Sequence, residues 1–317
     1  MTMKVRLYFC FYALLIAFAS LFSGCSADDS TPSEVADEIR VNAEVWHLVS
    51  GTRVNFIDGG TLSSGSFVAA VNESGETDVY ISPTTVNWVT DHWEFSDGKH
   101  YWPATGSFDF FAYMPVTIPS YITDMSGVAS QVTYAASAMQ FKCASLPMTD
   151  TGQASLQEFV CALTPEQSKS NAGADGVTMT FKRPFARINL MLSPDQPDII
   201  INSIKFKSLK TGGSCSFNGT SSTWSNFTPD NTSDFVVSLN NENYTASANL
   251  GSYLMVPQGF SGNIEVKATW IDWGELFEHT VTASVPTTWV AGYSYTYTFT
   301  ITETDLKVDI SKFTEQW

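Results

Sequence analysis

The chain reads as an all-β protein made of β-sandwiches, on three observations. Apolar residues recur at every second position through most of its length, helical periodicity is nearly absent, and aromatics reach 14% while charged residues stay at 15%. β-branched and aromatic side chains in alternation are what a half-buried pleated surface selects. Short runs of this kind, separated by turn residues, are the pattern of paired antiparallel sheets.

The elements run in this order. Ile39, Val41, Ala43 and Val45 alternate with polar partners, and His47 and Val49 continue the same face. Phe108, Phe110, Ala112 and Met114 alternate with Asp109, Phe111 and Tyr113, which predicts a central strand apolar on both faces. One short helix is predicted from Ser155 to Leu163, with Ser155 as N-cap, Glu158 three positions on and Pro165 as its stop. Ala186, Ile188, Leu190 and Leu192 form the next strand, and Ile264, Val266, Ala268 and Trp270 another. Tyr293, Tyr295, Tyr297, Phe299 and Ile301 interleave strictly with Ser294, Thr296, Thr298, Thr300 and Thr302. Leu306, Val308 and Ile310 make the closing strand. Thr164 to Gly176, with Pro165 and two glycines, is the expected boundary, dividing the chain into an N-terminal sandwich over 38–170 and a C-terminal one over 171–317.

The N-terminus reads as an export leader over residues 1–24. Lys4 and Arg6 precede an apolar run of 13 residues from Leu7 to Ala19. At ~1.5 Å per residue that run is too short for the ~30 Å hydrocarbon core of a bilayer. Ser23 and Gly24 before Cys25 have the form of a bacterial lipobox, so Cys25 is the expected lipidated N-terminus of the mature chain. The alternative is an ordinary cleaved leader with an incidental cysteine. Residues 25–37, with Pro32 and several Ser, Asp and Glu, carry no apolar period and read as a flexible tether. The acidic pair Asp28–Asp29 beside the lipid suits export to the outer membrane and cell surface.

Charge excludes one class of partner. The whole chain has 16 basic and 32 acidic residues, a net charge of −16. Without the leader, 14 basic residues stand against 32 acidic, a net of −18. Nucleic-acid binding needs the opposite sign.

Candidate chemistry is sparse. The sequence holds no Gly-x-Ser-x-Gly elbow, Cys-x-x-Cys or His-Glu-x-x-His pattern, so neither an enzyme nor a cofactor is expected. His92 and His100, among Asp91, Glu94 and Asp97, admit metal ligation or a solvated loop, and the solvated loop is favoured, leaving no metal site. Once Cys10 and Cys25 are set aside, Cys143, Cys161 and Cys215 allow one disulfide at most and read best as small buried hydrophobes. The sequons at Asn72, Asn218, Asn226, Asn231 and Asn243 read as by-products of Asn- and Ser/Thr-rich turns.

Several stretches together resemble the fimbrillin family of lipoprotein-derived pilins. Tyr101-Trp102-Pro103 followed by Phe110-Phe111-Ala112-Tyr113-Met114-Pro115 is one, and Lys182-Arg183-Pro184-Phe185-Ala186-Arg187-Ile188 is another. Leu254-Met255-Val256-Pro257-Gln258, Trp289-Val290-Ala291-Gly292-Tyr293-Ser294-Tyr295-Thr296-Tyr297 and Val308-Asp309-Ile310 with Trp317 complete the set. The resemblance implies two tandem transthyretin-like sandwiches, exported as a lipoprotein and assembled into a surface fimbria that supports adhesion. It further implies that a protease cuts after a basic residue near the mature N-terminus and removes the first strand. A strand from a neighbouring fimbrillin subunit then fills the groove, by β-augmentation. Here the cut falls at Arg53 in Gly51-Thr52-Arg53-Val54 or, less suitably, at Arg40 inside the strand, and the donor is Leu306, Val308 and Ile310. Arg53 as a plain solvated arginine stays open. The competing reading is a monomeric lipid-anchored protein that captures glycan or host protein through exposed aromatics.

Overall fold

The alternating run at Ile39–Val45 is a strand, and pleated structure continues from it almost to the end of the chain. The computed structural model describes residues 37–45, 57, 60–127, 131–193, 199–227, 232–244, 246–302 and 305–313. The expected leader 1–24, Cys25, nearly all of the expected tether 25–37, the continuation at His47 and Val49, and Arg53 lie outside the described residues. Met1–Glu38 separates as one unit and Ile39–Trp317 as another, and every strand among the described residues belongs to the second.

In chain order the strands begin with β1 (Val41–Val45), β2 (Gly60–Thr61), β3 (Ser66–Glu73), β4 (Val79–Val89), β5 (His92–Phe95) and β6 (Phe108–Met114). Next come β7 (Ile122–Thr123), β8 (Thr133–Ala135) and β9 (Ala138–Cys143), then one helical turn, α1 (Asp150–Gln153). After it run β10 (Val160–Gln167), β11 (Val177–Phe181), β12 (Ala186–Leu192), β13 (Ile200–Lys210), β14 (Gly213–Phe217) and β15 (Ser222–Ser225). The rest are β16 (Thr232–Asn243), β17 (Ala248–Met255), β18 (Gly259–Phe260), β19 (Asn263–Asp272), β20 (Glu275–Ser284), β21 (Thr287–Thr288), β22 (Ser294–Ile301) and β23 (Leu306–Phe313).

Three cores hold these strands. The first lies between the sheet β11-β1-β2 and one face of β10-β6-β3-β4-β5, with Val41, Phe67, Phe110, Met179 and Phe181 among its members. A second fills the space between β17-β12-β22-β23 and β16-β13-β19-β20, around Phe206, Phe235, Tyr253, Trp289 and Tyr297. In the third, the sheet β15-β14-β9-β7 covers the other face of β6, β3 and β10 through Phe141 and Phe217, with Phe159 and Phe185 packed against them. This explains the doubly apolar β6: all seven of its residues are buried, Phe110 and Ala112 in the first core and Phe111 and Tyr113 in the third. Asp109 on the same strand is satisfied inside, its Oδ1 accepting from the Ser74 hydroxyl at 2.7 Å and the Glu166 N–H at 2.9 Å.

Two cross-connections matter for organisation. β11, beyond the boundary expected at 170/171, returns to pair in parallel with β1, from Val41↔Val177 to Val45↔Phe181. β14 pairs antiparallel with β9, so one sheet contains strands from both halves.

Two local expectations are corrected. The helix from Ser155 to Leu163 does not form; α1 lies earlier, capped by Thr149, whose Oγ1 accepts from the Gly152 N–H at 3.0 Å. Val160–Leu163 are apolar on both faces and enter the sheet beside β6, where burial outweighs a weak capping signal. Asn72 is not in a turn but buried in β3, where its amide has no hydrogen-bond partner.

Candidate functional site

β1 is held as an inserted strand. Its inward residues Val41, Ala43 and Val45, with Ile39 just before it, are all buried in the first core. Burying a side chain the size of Val or Ile is worth roughly 1.5–3 kcal/mol, so these residues account for much of the strand's attachment. Outward, the Thr180 hydroxyl donates to Glu44 at 2.7 Å and the Asn42 amide donates to the Asp175 carbonyl at 2.7 Å. β2 completes the other side through Glu44↔Thr61 and Val45↔Gly60. Taking β1 away would leave an apolar slot with main-chain donors and acceptors unpaired on both walls.

The entry to the slot depends on a glycine. Gly176 sits at φ +96°, and a Cβ there would stand 2.3 Å from the Arg40 carbonyl oxygen. That carbonyl accepts from the Val177 N–H at 2.8 Å, the first rung between β1 and β11. Gly176→Ala is therefore expected to push the two strands apart at this rung and loosen β1. Limited trypsin digestion should release a new terminus at Val41 several-fold faster than in the wild type; an unchanged rate would show that the rung does not guard the strand.

Downstream of β1 the chain is pinned by a buried ion pair. Arg183 Nε donates to Glu158 Oε1 at 2.9 Å, with both side chains 1% exposed. The same two groups take both main-chain groups of Ile57: its N–H donates to Glu158 Oε2 at 2.9 Å, and its carbonyl accepts from Arg183 at 2.7 Å. Burial pushes the Glu158 carboxyl up, and the Arg183 guanidinium and the Ile57 N–H pull against that shift. Four residues after Arg53, the backbone is thus fixed to the core independently of β1.

Arg40, the alternative cut, is exposed, but it lies between buried Ile39 and Val41 with its carbonyl bonded, a poor fit to a protease cleft that needs free extended chain. Leu306 and Val308 are buried in the second core and Ile310 packs against it, on β23 at the edge of its own sheet. His92 is exposed and bonded to Asp91 and Glu94, each at 2.8 Å, and these bonds raise its pKa above the ordinary 6.5. His100 contacts Asp97 at 2.9 Å, separately. Among the described residues no group of three or more His, Cys, Asp or Glu is placed to hold a metal ion. Cys143, Cys161 and Cys215 are free and buried in the third core, and burial raises the pKa of each thiol.

The motif residues are builders of the cores. Trp102 packs on Phe110, and Arg187 donates to Asn189 and Ser252 inside the sheet. Gln258 closes a ring with Lys210, accepting its N–H at 2.7 Å and donating to its carbonyl at 3.0 Å. Trp289 Nε1 donates to the Tyr297 hydroxyl at 2.9 Å. Residue patterning does not single out Glu158 as the partner of Arg183. An arginine set in the apolar run around Phe185 is the available signal, because a buried guanidinium requires a carboxylate or carbonyls.

Comparison with solved structures gives the class. A fimbrial protein from Bacteroides vulgatus ATCC 8482 matches with TM-score 0.58 at 16% identity, over 87% of this chain and 99% of that one. A candidate cell adhesion protein from Bacteroides ovatus ATCC 8483 matches with TM-score 0.52 at 15% identity, over 89% of this chain and 98% of that one. The fold is that of bacterial fimbrial proteins. No curated protein matches the sequence significantly. A family model described as fimbrillin-like matches residues 52–317. The chain belongs to the fimbrillin-like family, whose members are cell-surface fimbrial and adhesion proteins rather than enzymes.

Proposed function

We propose that this fimbrial subunit is exported as an outer-membrane lipoprotein, lipidated at Cys25, and is switched into an assembling form by cleavage after Arg53. The organisation is that of two tandem transthyretin-like sandwiches. The observation that carries the reading is β1 itself: a short strand walled by β11 and β2, with its inner face in the core, followed by an independent anchor at Ile57. Cleavage at Arg53 frees β1 while leaving the rest of the chain fastened. The family match, which begins at residue 52 and leaves β1 outside, supports the same division.

The donor is the closing strand of the next subunit, of this or a related kind. Leu306, Val308 and Ile310 repeat the period-two spacing of Val41, Ala43 and Val45, so one strand can take the inward positions of the other. β23 lies at a sheet edge and pairs only with β22 among the described strands, so releasing it breaks one ladder. The exchange is driven by re-forming two ladders in the slot. Arg53→Ala should leave a longer lipid-anchored monomer and abolish polymer in cells. SDS-resistant ladders of unchanged intensity in that variant would sink the assignment.

A further inference from the structure

The hairpin of β19 and β20 is not absorbed by the slot or the donor. Its strands pair over ten consecutive residues without a register shift, and Trp273 (φ 54°) and Gly274 (φ 87°) make the two-residue turn. Both turn residues are left-handed, the geometry that joins twisted antiparallel strands tightly. Trp273 is 96% exposed, Leu276 61%, Ile271 59% and Phe277 45%. Ile271 and Leu276 stand directly opposite each other.

Of the four edge strands around the second core, β20 alone has no lysine, no proline and no register shift, and across the opening of the sandwich its neighbour is β23. β23 is the strand already assigned to the slot of the next subunit, and it carries Lys307 and Lys312. β16 is partly covered, its Val236 N–H donating to the Met148 carbonyl. β17 has a register shift opposite Leu190 and Met191. β20 has ten residues, no proline, no lysine and no bulge. The two-residue turn makes Asp272 and Glu275 a hydrogen-bonded pair, so alternate residues Leu276, Glu278, Thr280, Thr282 and Ser284 aim their N–H and carbonyl groups away from β19.

We propose that β20 pairs antiparallel with β20 of a second copy of this chain, about a two-fold axis at Thr280. A two-fold axis perpendicular to a sheet requires residues of the same parity to face each other, and this register satisfies it. Glu278 then meets Thr282 of the second copy, Leu276 meets Ser284, Phe277 meets Ala283 and His279 meets Val281. Glu275 falls past the end, toward Val285. No like charges stand opposite each other, although the strand bears two glutamates, and apolar Phe277 gains an apolar neighbour. This isologous contact joins copies side by side and is distinct from a head-to-tail joint.

The test uses the full chain in detergent with a cysteine added at the axis. Thr280→Cys places two thiols opposite each other, with Cα atoms about 5.5 Å apart, and a short bis-maleimide should convert most of the protein to dimer. Ser284→Cys places its thiols roughly 27 Å apart, eight residues at ~3.4 Å, and should give at least tenfold less. Adding Thr282→Pro or Thr282→Glu to Thr280→Cys should abolish the cross-link, since the first removes an outward N–H, the second sets a like charge opposite Glu278 of the second copy, and neither removes a bond to β19. No dimer from Thr280→Cys, equal dimer from both cysteines, or dimer that survives both edge changes would each overturn the pairing. Cross-linking only to a different protein would overturn it as well, in favour of a foreign strand on this edge.

Discussion

Arg183→Ala is expected to cost about 3–5 kcal/mol, because it leaves the Glu158 carboxylate buried without its partner. In a chain of this size that lowers the melting temperature by roughly 10 °C, read by circular dichroism. Glu158→Ala should do comparable damage from the other side. Replacing both by apolar residues, Glu158→Leu with Arg183→Met, should cost less than the two single changes summed, because neither member of the pair is then left buried opposite a missing partner. A loss below about 1 kcal/mol for each single variant would show that water or another group satisfies the survivor. The pair also holds both main-chain groups of Ile57. Arg183→Ala should therefore loosen the segment after β1 as well, visible as faster amide exchange near Ile57.

Trp289→Ala is expected to cost about 3–5 kcal/mol, the range for emptying a large aromatic site in a packed core. Trp289 is buried, stacks on Phe260 at a centroid distance of 5.1 Å and meets Phe206 at 6.5 Å. Its loss also takes from the Tyr297 hydroxyl the donor it accepts at 2.9 Å. Trp289→Phe keeps most of the apolar volume and removes the N–H, so the difference between the two variants separates packing from the hydrogen bond. Denaturant midpoints with unchanged slope would place the effect in stability alone. A midpoint for Trp289→Ala within error of the wild type would contradict the close packing of this site.

The strands are legible wherever period two is strict, as at Ile39–Val45, Ala186–Leu192 and Tyr293–Ile301, because burial on one face leaves a local mark in the sequence. β6 is legible as a two-faced strand for the same reason. Pairing between distant segments leaves no such local mark. Nothing around Val177 says that it lies beside Val41, and nothing around Cys215 says that it lies beside Phe141. Glu158 reads as helical because its neighbours Ser155 and Pro165 imitate the limits of a helix, while its real partner is 25 residues away. The motif residues point correctly to the family, yet their work is structural: Gln258, Trp289 and Arg187 fasten cores. The slot, the anchor at Ile57 and the outward-facing edge of β20 emerge only when the ladders are assembled.

The sheet that mixes β9 with β14 has a mechanical consequence. A chain whose halves met only through a linker could flex at its middle. Here Phe141, Phe159, Phe185 and Phe217 interlock beneath a continuous ladder that draws on both halves, and a large apolar contact of this kind suppresses hinge motion. Residues 39–317 then move as one piece. Bending of any filament built from copies of this chain falls at the joints between them.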